Sequence, residues 1–120
     1  MALVWDLLTP DHFVEWGYYP PPSHSMLGFA GRDSDTGQLL VIGYVYHGMD
    51  GRWWCSLRQD GSYPSVHARA VELIRALADA GVTELWATLD ESVPKARKWI
   101  ERCGFKPISE TEWRLGICDP

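Results

Sequence analysis

Residues 60–89 constrain this chain most, because the hydrophobic period changes twice within them. After the turn formers Asp60 and Gly61, the residues Val66, Ala70, Leu73, Ile74 and Leu77 recur at three- and four-residue intervals and mark one helical face. Arg69, Glu72, Arg75 and Asp79 occupy the other face. Ser65 is placed to cap this helix and Gly81 to end it. Residues 83–89 then read as a strand. So do residues 52–59 upstream, where Trp53, Cys55 and Leu57 alternate with Trp54, Ser56 and Arg58. A strand, a helix and a strand in succession form a crossover, which implies that the two strands pair in parallel inside one sheet.

The flanking segments extend that sheet. Residues 2–8 are apolar enough for an edge strand, and Thr9, Pro10 and Asp11 open a short helix that ends near Trp16 and Gly17. The run YYPPPSHS is a loop, since its prolines remove backbone donors. Residues 26–33 and 38–46 make a hairpin across the turn formers 34–37. A second turn over residues 47–51 leads into residues 52–59, so three antiparallel strands follow one another. Pro94 opens a second long-range helix that ends at Gly104, with Ala96, Trp99, Ile100 and Cys103 facing inward. Extended segments near residues 105–108 and 112–117 close the chain. The expected class is α/β in the broad sense, an α+β mixed sheet flanked by helices. At 120 residues it suits one domain spanning residues 1–120.

Composition excludes several function classes. A net charge of -5 opposes the clustered Lys and Arg of a nucleic-acid binder. No apolar run approaches the roughly 20 residues that span a bilayer, and the N-terminus lacks a basic region before a long apolar stretch. The sequence therefore predicts no membrane and no nucleic-acid partner, and a cytoplasmic location. Cys55, Cys103 and Cys118 have no CxxC spacing, and His12, His24, His47 and His67 share no helix face, so no metal is expected. Seven Trp and five Tyr supply large, partly polar contact area, which points to a protein partner on a Trp/Tyr-rich surface. Trp53 and Trp54 point to opposite faces of their strand, so one meets the helices and the other is left for a cleft or interface.

Residues 94–105, PKARKWIERCGF, resemble the last helix and following turn of the GNAT N-acetyltransferases. In that family an alanine stands eight residues before a Gly-Phe pair, as Ala96 does before Gly104-Phe105. The order and lengths of the elements over residues 38–117 also fit. The resemblance implies a GNAT-like acyl-CoA N-acyltransferase fold, acetyl-CoA as cofactor and a small-molecule or protein amine as acceptor. In the family the coenzyme's pantetheine arm lies where the strand before the long helix splays from the next strand. The pyrophosphate sits on backbone amides at the helix start, where unpaired N–H groups and the helix dipole favour an anion.

The family's phosphate loop has the form Arg/Gln-x-x-Gly-x-Gly/Ala. Here Arg58 and Gly61 match and Tyr63 replaces the last small residue, in a register that leaves a long loop before the helix. Counted back from Gly81, Ser62, Ser65 and His67 take the signature positions and none matches. The coenzyme-binding residues implied are Arg58, Gly61, Ser62, Ser65 and Val66. Asp60 adds negative charge beside the loop and Pro64 removes one amide donor. The family's tyrosine acid, four residues after the alanine, is here Ile100, and its asparagine three residues before it is Val93. Tyr63 and His67 are the candidate catalytic groups, as acid and base; packing over the loop and exposure on the first turn are their structural alternatives. Cys103 reads as core. Asp90 and Glu91 follow a strand end where an amine would bind, and Lys95, Arg97, Lys98, Arg102 and Lys106 form a solvated or partner-facing cluster.

A competing expectation is a noncatalytic GNAT-like interaction or structural protein whose cleft is filled by side chains such as Tyr63. The small size and worn loop resemble the GNAT-like proteins of tailed bacteriophages, some of them virion components. That likeness implies a host-cytoplasmic or virion setting.

Overall fold

The computed structural model describes residues 2–61, 63–90 and 95–117. Ten elements follow in chain order: β1 (Leu3–Leu7), α1 (Pro10–Glu15), β2 (Ser23–Asp33), β3 (Leu39–Gly48), β4 (Trp53–Gln59), α2 (Pro64–Asp79), β5 (Glu84–Thr88), α3 (Ala96–Arg102), β6 (Lys106–Pro107) and β7 (Glu112–Gly116). The seven strands form one mixed sheet in the order β1-β2-β3-β4-β5-β7-β6. All neighbours are antiparallel except β4 and β5, which pair in parallel as the crossover requires. The expected edge strand is β1, which pairs with β2 alone.

β3 is an interior strand, and residues 39–45 are all buried. A strand covered on both faces reads as a continuous apolar run, and LLVIGYV is one. One face of the sheet packs under α2 and α3, where Val45, Leu77, Leu85, Ala87, Ile100, Phe105 and Trp113 form the largest cluster. The opposite face packs under α1, where Phe13 meets Tyr18 and Tyr44 edge-on at 5.4 and 5.1 Å. Fully burying such side chains contributes roughly 1.5–3 kcal/mol each.

The helix termini show how local chemistry sets these positions. Thr9 caps α1 and Pro10 is its first residue; the Thr9 amide donates to His12 Nδ1 at 2.9 Å, which satisfies a donor the helix leaves unpaired. α2 ends as the sequence predicts: Gly81 adopts φ +90°, and the Val82 amide returns to the Leu77 carbonyl at 3.0 Å. α3 ends likewise at Gly104, φ +96°, which turns Phe105 into the core at 3% exposure. The start of α2 differs from expectation. Tyr63, not Ser65, is the N-cap and Pro64 the first helical residue, because proline's fixed φ suits that position and lacks the N–H that would be unpaired there. α3 begins at Ala96 after Lys95, which takes a left-handed conformation at φ 67°. Expectations that rested on Ser62, Glu91, Val93, Pro94 and Cys118 lie outside the described residues.

Candidate functional site

β4 and β5 share only two registered pairs, Trp54 with Trp86 and Cys55 with Ala87. Beyond Cys55, β4 runs on through Ser56, Leu57, Arg58 and Gln59 along β3 but unpaired to β5. The two parallel strands therefore diverge toward their C-terminal ends. α2 starts from the far end of β4 and α3 follows β5, so the divergence opens between the two helices on one face of the sheet.

The closed end of this divergence holds an apolar cavity of about 30 Å3. Cys55 and Leu57 of β4, Leu85 of β5, Ala70 and Leu73 of α2 and Trp99 of α3 are among its walls. Phe29 and Gly43 close it from β2 and β3. Burial pushes the Cys55 thiol up to about 12, with Cys103 nearby adding to the effect, and burial lifts Cys103 to about 11. Both sulfurs are thiols, not thiolates, at neutral pH, and neither is poised as a nucleophile. Cys103 packs against the core, as the sequence predicts.

At the open end lies the loop from β4 to α2. Because the helix begins at Pro64, the Arg58-x-x-Gly61-x-Tyr63 register leads straight into it, and the extra loop length expected from a Ser65 cap is absent. Gly61 has φ +112°, a conformation that favours glycine. Tyr63 folds back over it: its ring packs against the Leu40, Val41 and Val66 cluster, and its hydroxyl donates to the Asp60 carbonyl. Val66 turns its side chain into the core at 2% exposure, and its amide donates to the Tyr63 carbonyl at 3.1 Å. Ser65 is exposed on the first turn.

Arg58 lies across the sheet from these groups. Its β4 position opposes Ile42 on the α1 face, and its guanidinium stacks over the Tyr18 ring at 4.8 Å. There it borders an open bowl of about 430 Å3 with Trp16, Gln38, Gln59 and Asp60. Tyr18 carries a buried hydroxyl without a hydrogen-bond partner among the described residues, and burial raises its pKa.

His67 is half-buried, and its Nδ1 is buried without a partner among the described residues. On a 3.6-residue period it takes the flank of α2 opposite Arg69, whose guanidinium sits 5.4 Å from Trp5 of the edge strand. That flank faces the β4–β5 side of the sheet. Ile100, at the position of the family's tyrosine acid, is 6% exposed within the main cluster and offers no proton. The structure thus keeps Tyr63, Val66 and His67 around the start of α2 and separates Arg58 from them.

The sequence did not single out Trp99, Leu73 or the Phe29–Gly43 contact as parts of the cleft. Their apolar periodicity marked them only as core. The face of β4, β5 and β7 opposite α2 and α3 has no helix over it among the described residues. Trp54 and Trp86 lie there 6.1 Å apart, with the Arg52 guanidinium 4.4 Å from the Trp86 ring and that of Arg114 at 5.9 Å. Trp53, on the other face, packs against the main cluster. His24 and His47 come within 5.2 Å across β2 and β3, yet no cluster of three metal-ligating side chains exists among the described residues. No helix among those residues is long and apolar enough to cross a membrane.

No protein-family model matches the sequence, and no curated protein matches it either. Solved structures do match. A GNAT-superfamily phosphinothricin acetyltransferase from Sinorhizobium meliloti, in complex with AcCoA, superposes with a TM-score of 0.69 at 10% identity, over 98% of this chain and 89% of that one. The ribosomal-protein-S18-alanine N-acetyltransferase from Escherichia coli also reaches 0.69, at 15% identity over 99% and 96% of the two chains. A cAMP-binding acyltransferase from Mycobacterium smegmatis reaches 0.71 at 11% identity, over 98% of this chain and 44% of that one. The chain has the GNAT acyltransferase fold.

Proposed function

We propose that this chain, built on the GNAT fold, is an acetyl-CoA-dependent N-acetyltransferase acting on an amine. The observation that carries the reading is the parallel β4–β5 pair that parts after Cys55, directly beside the start of α2. One structural neighbour is described in complex with AcCoA and another as acetylating an alanine of a ribosomal protein, so the fold is one on which thioester-to-amine transfer is run. In this reading the pantetheine arm lies in the divergence and the pyrophosphate meets the N-terminal end of α2 near Gly61 and Ser65. Backbone N–H groups of β4 left unpaired by β5 polarise the thioester carbonyl. The amine attacks that carbonyl carbon, the C–N bond forms, the C–S bond breaks, and the coenzyme leaves as a thiol after taking up a proton. His67, on the cleft flank of α2 with a ring nitrogen that has no partner among the described residues, is the group suited to accept the amine's proton. Tyr63 forms a wall of the loop.

The test is acetyl-CoA binding by calorimetry, with Gly61→Trp as the control. A Cβ at Gly61 would lie 3.0 Å from the Tyr63 hydroxyl and would need a strained φ, so the loop must move. Saturable binding that this variant abolishes supports the reading; no binding at millimolar coenzyme refutes it.

A second reading has its own observation, the uncovered Trp54–Trp86–Arg52–Arg114 face. Trp and Arg are enriched among residues that dominate protein interfaces. With the acid position filled by Ile100 and Tyr63 tied into the loop, the chain would then be a noncatalytic interaction protein, a phage virion component being one such setting. Failure of the coenzyme test with retained folding favours it.

A further inference from the structure

We infer that the cavity at the closed end of the β4–β5 divergence is an acyl-tail pocket, and that the preferred donor carries an acyl group longer than acetyl, of three or four carbons. This inference rests on the coenzyme site proposed above and refines its donor: acetyl-CoA binds there, and a donor one or two carbons longer binds better.

The cavity is placed where a tail would reach. Cys55 is the last β4 residue paired to β5, and the cavity is bounded by Cys55 and Leu57 on one strand and Leu85 on the other. A thioester lying in the divergence directs its carbonyl toward the free β4 amides and its acyl carbons toward this closed end. The walls suit hydrocarbon only: Ala70 and Leu73 from α2, Trp99 from α3, and a Cys55 sulfur that burial keeps protonated. Size sets the limit. About 30 Å3 exceeds the ~10–15 Å3 that a single water needs, so there is room for one or two methylenes and not for a long chain. Apolar cavities of this kind stay dry, so the lining atoms lack contacts that a methylene would restore.

Each methylene moved from water into such a site is expected to tighten binding about fourfold. Dissociation constants for CoA, acetyl-CoA, propionyl-CoA and butyryl-CoA, measured by calorimetry on the full chain, test this. The expected result is a roughly fourfold fall in Kd from acetyl- to propionyl-CoA. Ala70→Val, which fills the cavity, should erase that gain, and Leu73→Ala, which enlarges it, should shift the optimum to butyryl-CoA or beyond. If Ala70→Val does not fold, the Leu73→Ala ratios decide. Equal affinity for acetyl- and propionyl-CoA, or ratios unmoved by the two variants, overturns the inference while leaving the coenzyme site standing. Binding of none of the four overturns the coenzyme reading, and the inference with it.

Discussion

Replacing Gly43 by alanine gives a sharp test of how the cleft wall is built. A glycine inside a strand ordinarily weakens it, so alanine would be expected to stabilise by about 0.5–1 kcal/mol. Here the sign should reverse. A Cβ at Gly43 would lie 2.6 Å from Phe29 Cε2 and 2.9 Å from Cε1, with Cζ closer still. The Phe29 ring is held edge-on against Trp5 at 5.4 Å, so moving it out of the way breaks that contact. Overpacking of this kind costs about 1–3 kcal/mol. With about 2.1 cal/mol/K of unfolding entropy per residue, a chain of 120 residues loses roughly 4 °C per kcal/mol. The expected fall in Tm is therefore about 4–12 °C. Calorimetric melting measures it, and a double-mutant cycle assigns the cause: in a Phe29→Ala background the same substitution should cost nothing. A Gly43→Ala protein that melts at or above the parent temperature, or an undiminished penalty without Phe29, would refute the packing argument.

Other consequences are open to direct measurement. Tyr63→Phe loses one hydrogen bond to the Asp60 carbonyl and should lower stability by about 1 kcal/mol, with kcat little changed. His67→Ala should lower kcat by about 10²–10⁴-fold if it takes the amine's proton, so steady-state rates of the pair separate wall from base. Glu15 accepts two hydrogen bonds from Arg32 at 2.7 Å, which lowers its pKa below the usual 4.5. A lowered carboxylate stabilises the fold above its unfolded pKa and loses that contribution as pH falls through the folded one. Glu15→Gln should therefore destabilise by less than about 1 kcal/mol at pH 7, because the pair is solvent-exposed, and the difference from the parent should begin to fade near pH 4.5, disappear only as the pH falls through the lowered folded pKa, and shrink in salt. Peptide mapping after iodoacetamide treatment at pH 7.5 should find half-buried Cys55 modified far more slowly in the folded chain than in denaturant; equally rapid modification when folded would contradict its raised thiol pKa.

Much of the fold was legible because it depends on local periodicity. The 3.6-residue pattern of residues 66–77 and the alternation of residues 53–58 are properties of neighbours along the chain, and together they require the parallel β4–β5 pair. Gly81 and Gly104 end their helices because a left-handed residue is needed there, a demand that is also local. The start of α2 was read two residues late because Ser65 and Pro64 both signal a helix start, and only the packing of Tyr63 against the Leu40, Val41 and Val66 cluster selects between them. The site depended on tertiary structure more heavily. Arg58 matches a loop signature by spacing, yet strand alternation sends its side chain through the sheet to Tyr18, away from α2. The cavity is composed of residues from six elements whose separate periodicities mark each only as core. Sequence by itself determined the order of elements, the crossover and the ends of two helices, since each follows from contacts within a few residues. Where Arg58 points, what Tyr63 closes and how much space remains beside Cys55 were decided by tertiary structure, because they depend on side chains brought together from distant parts of the chain.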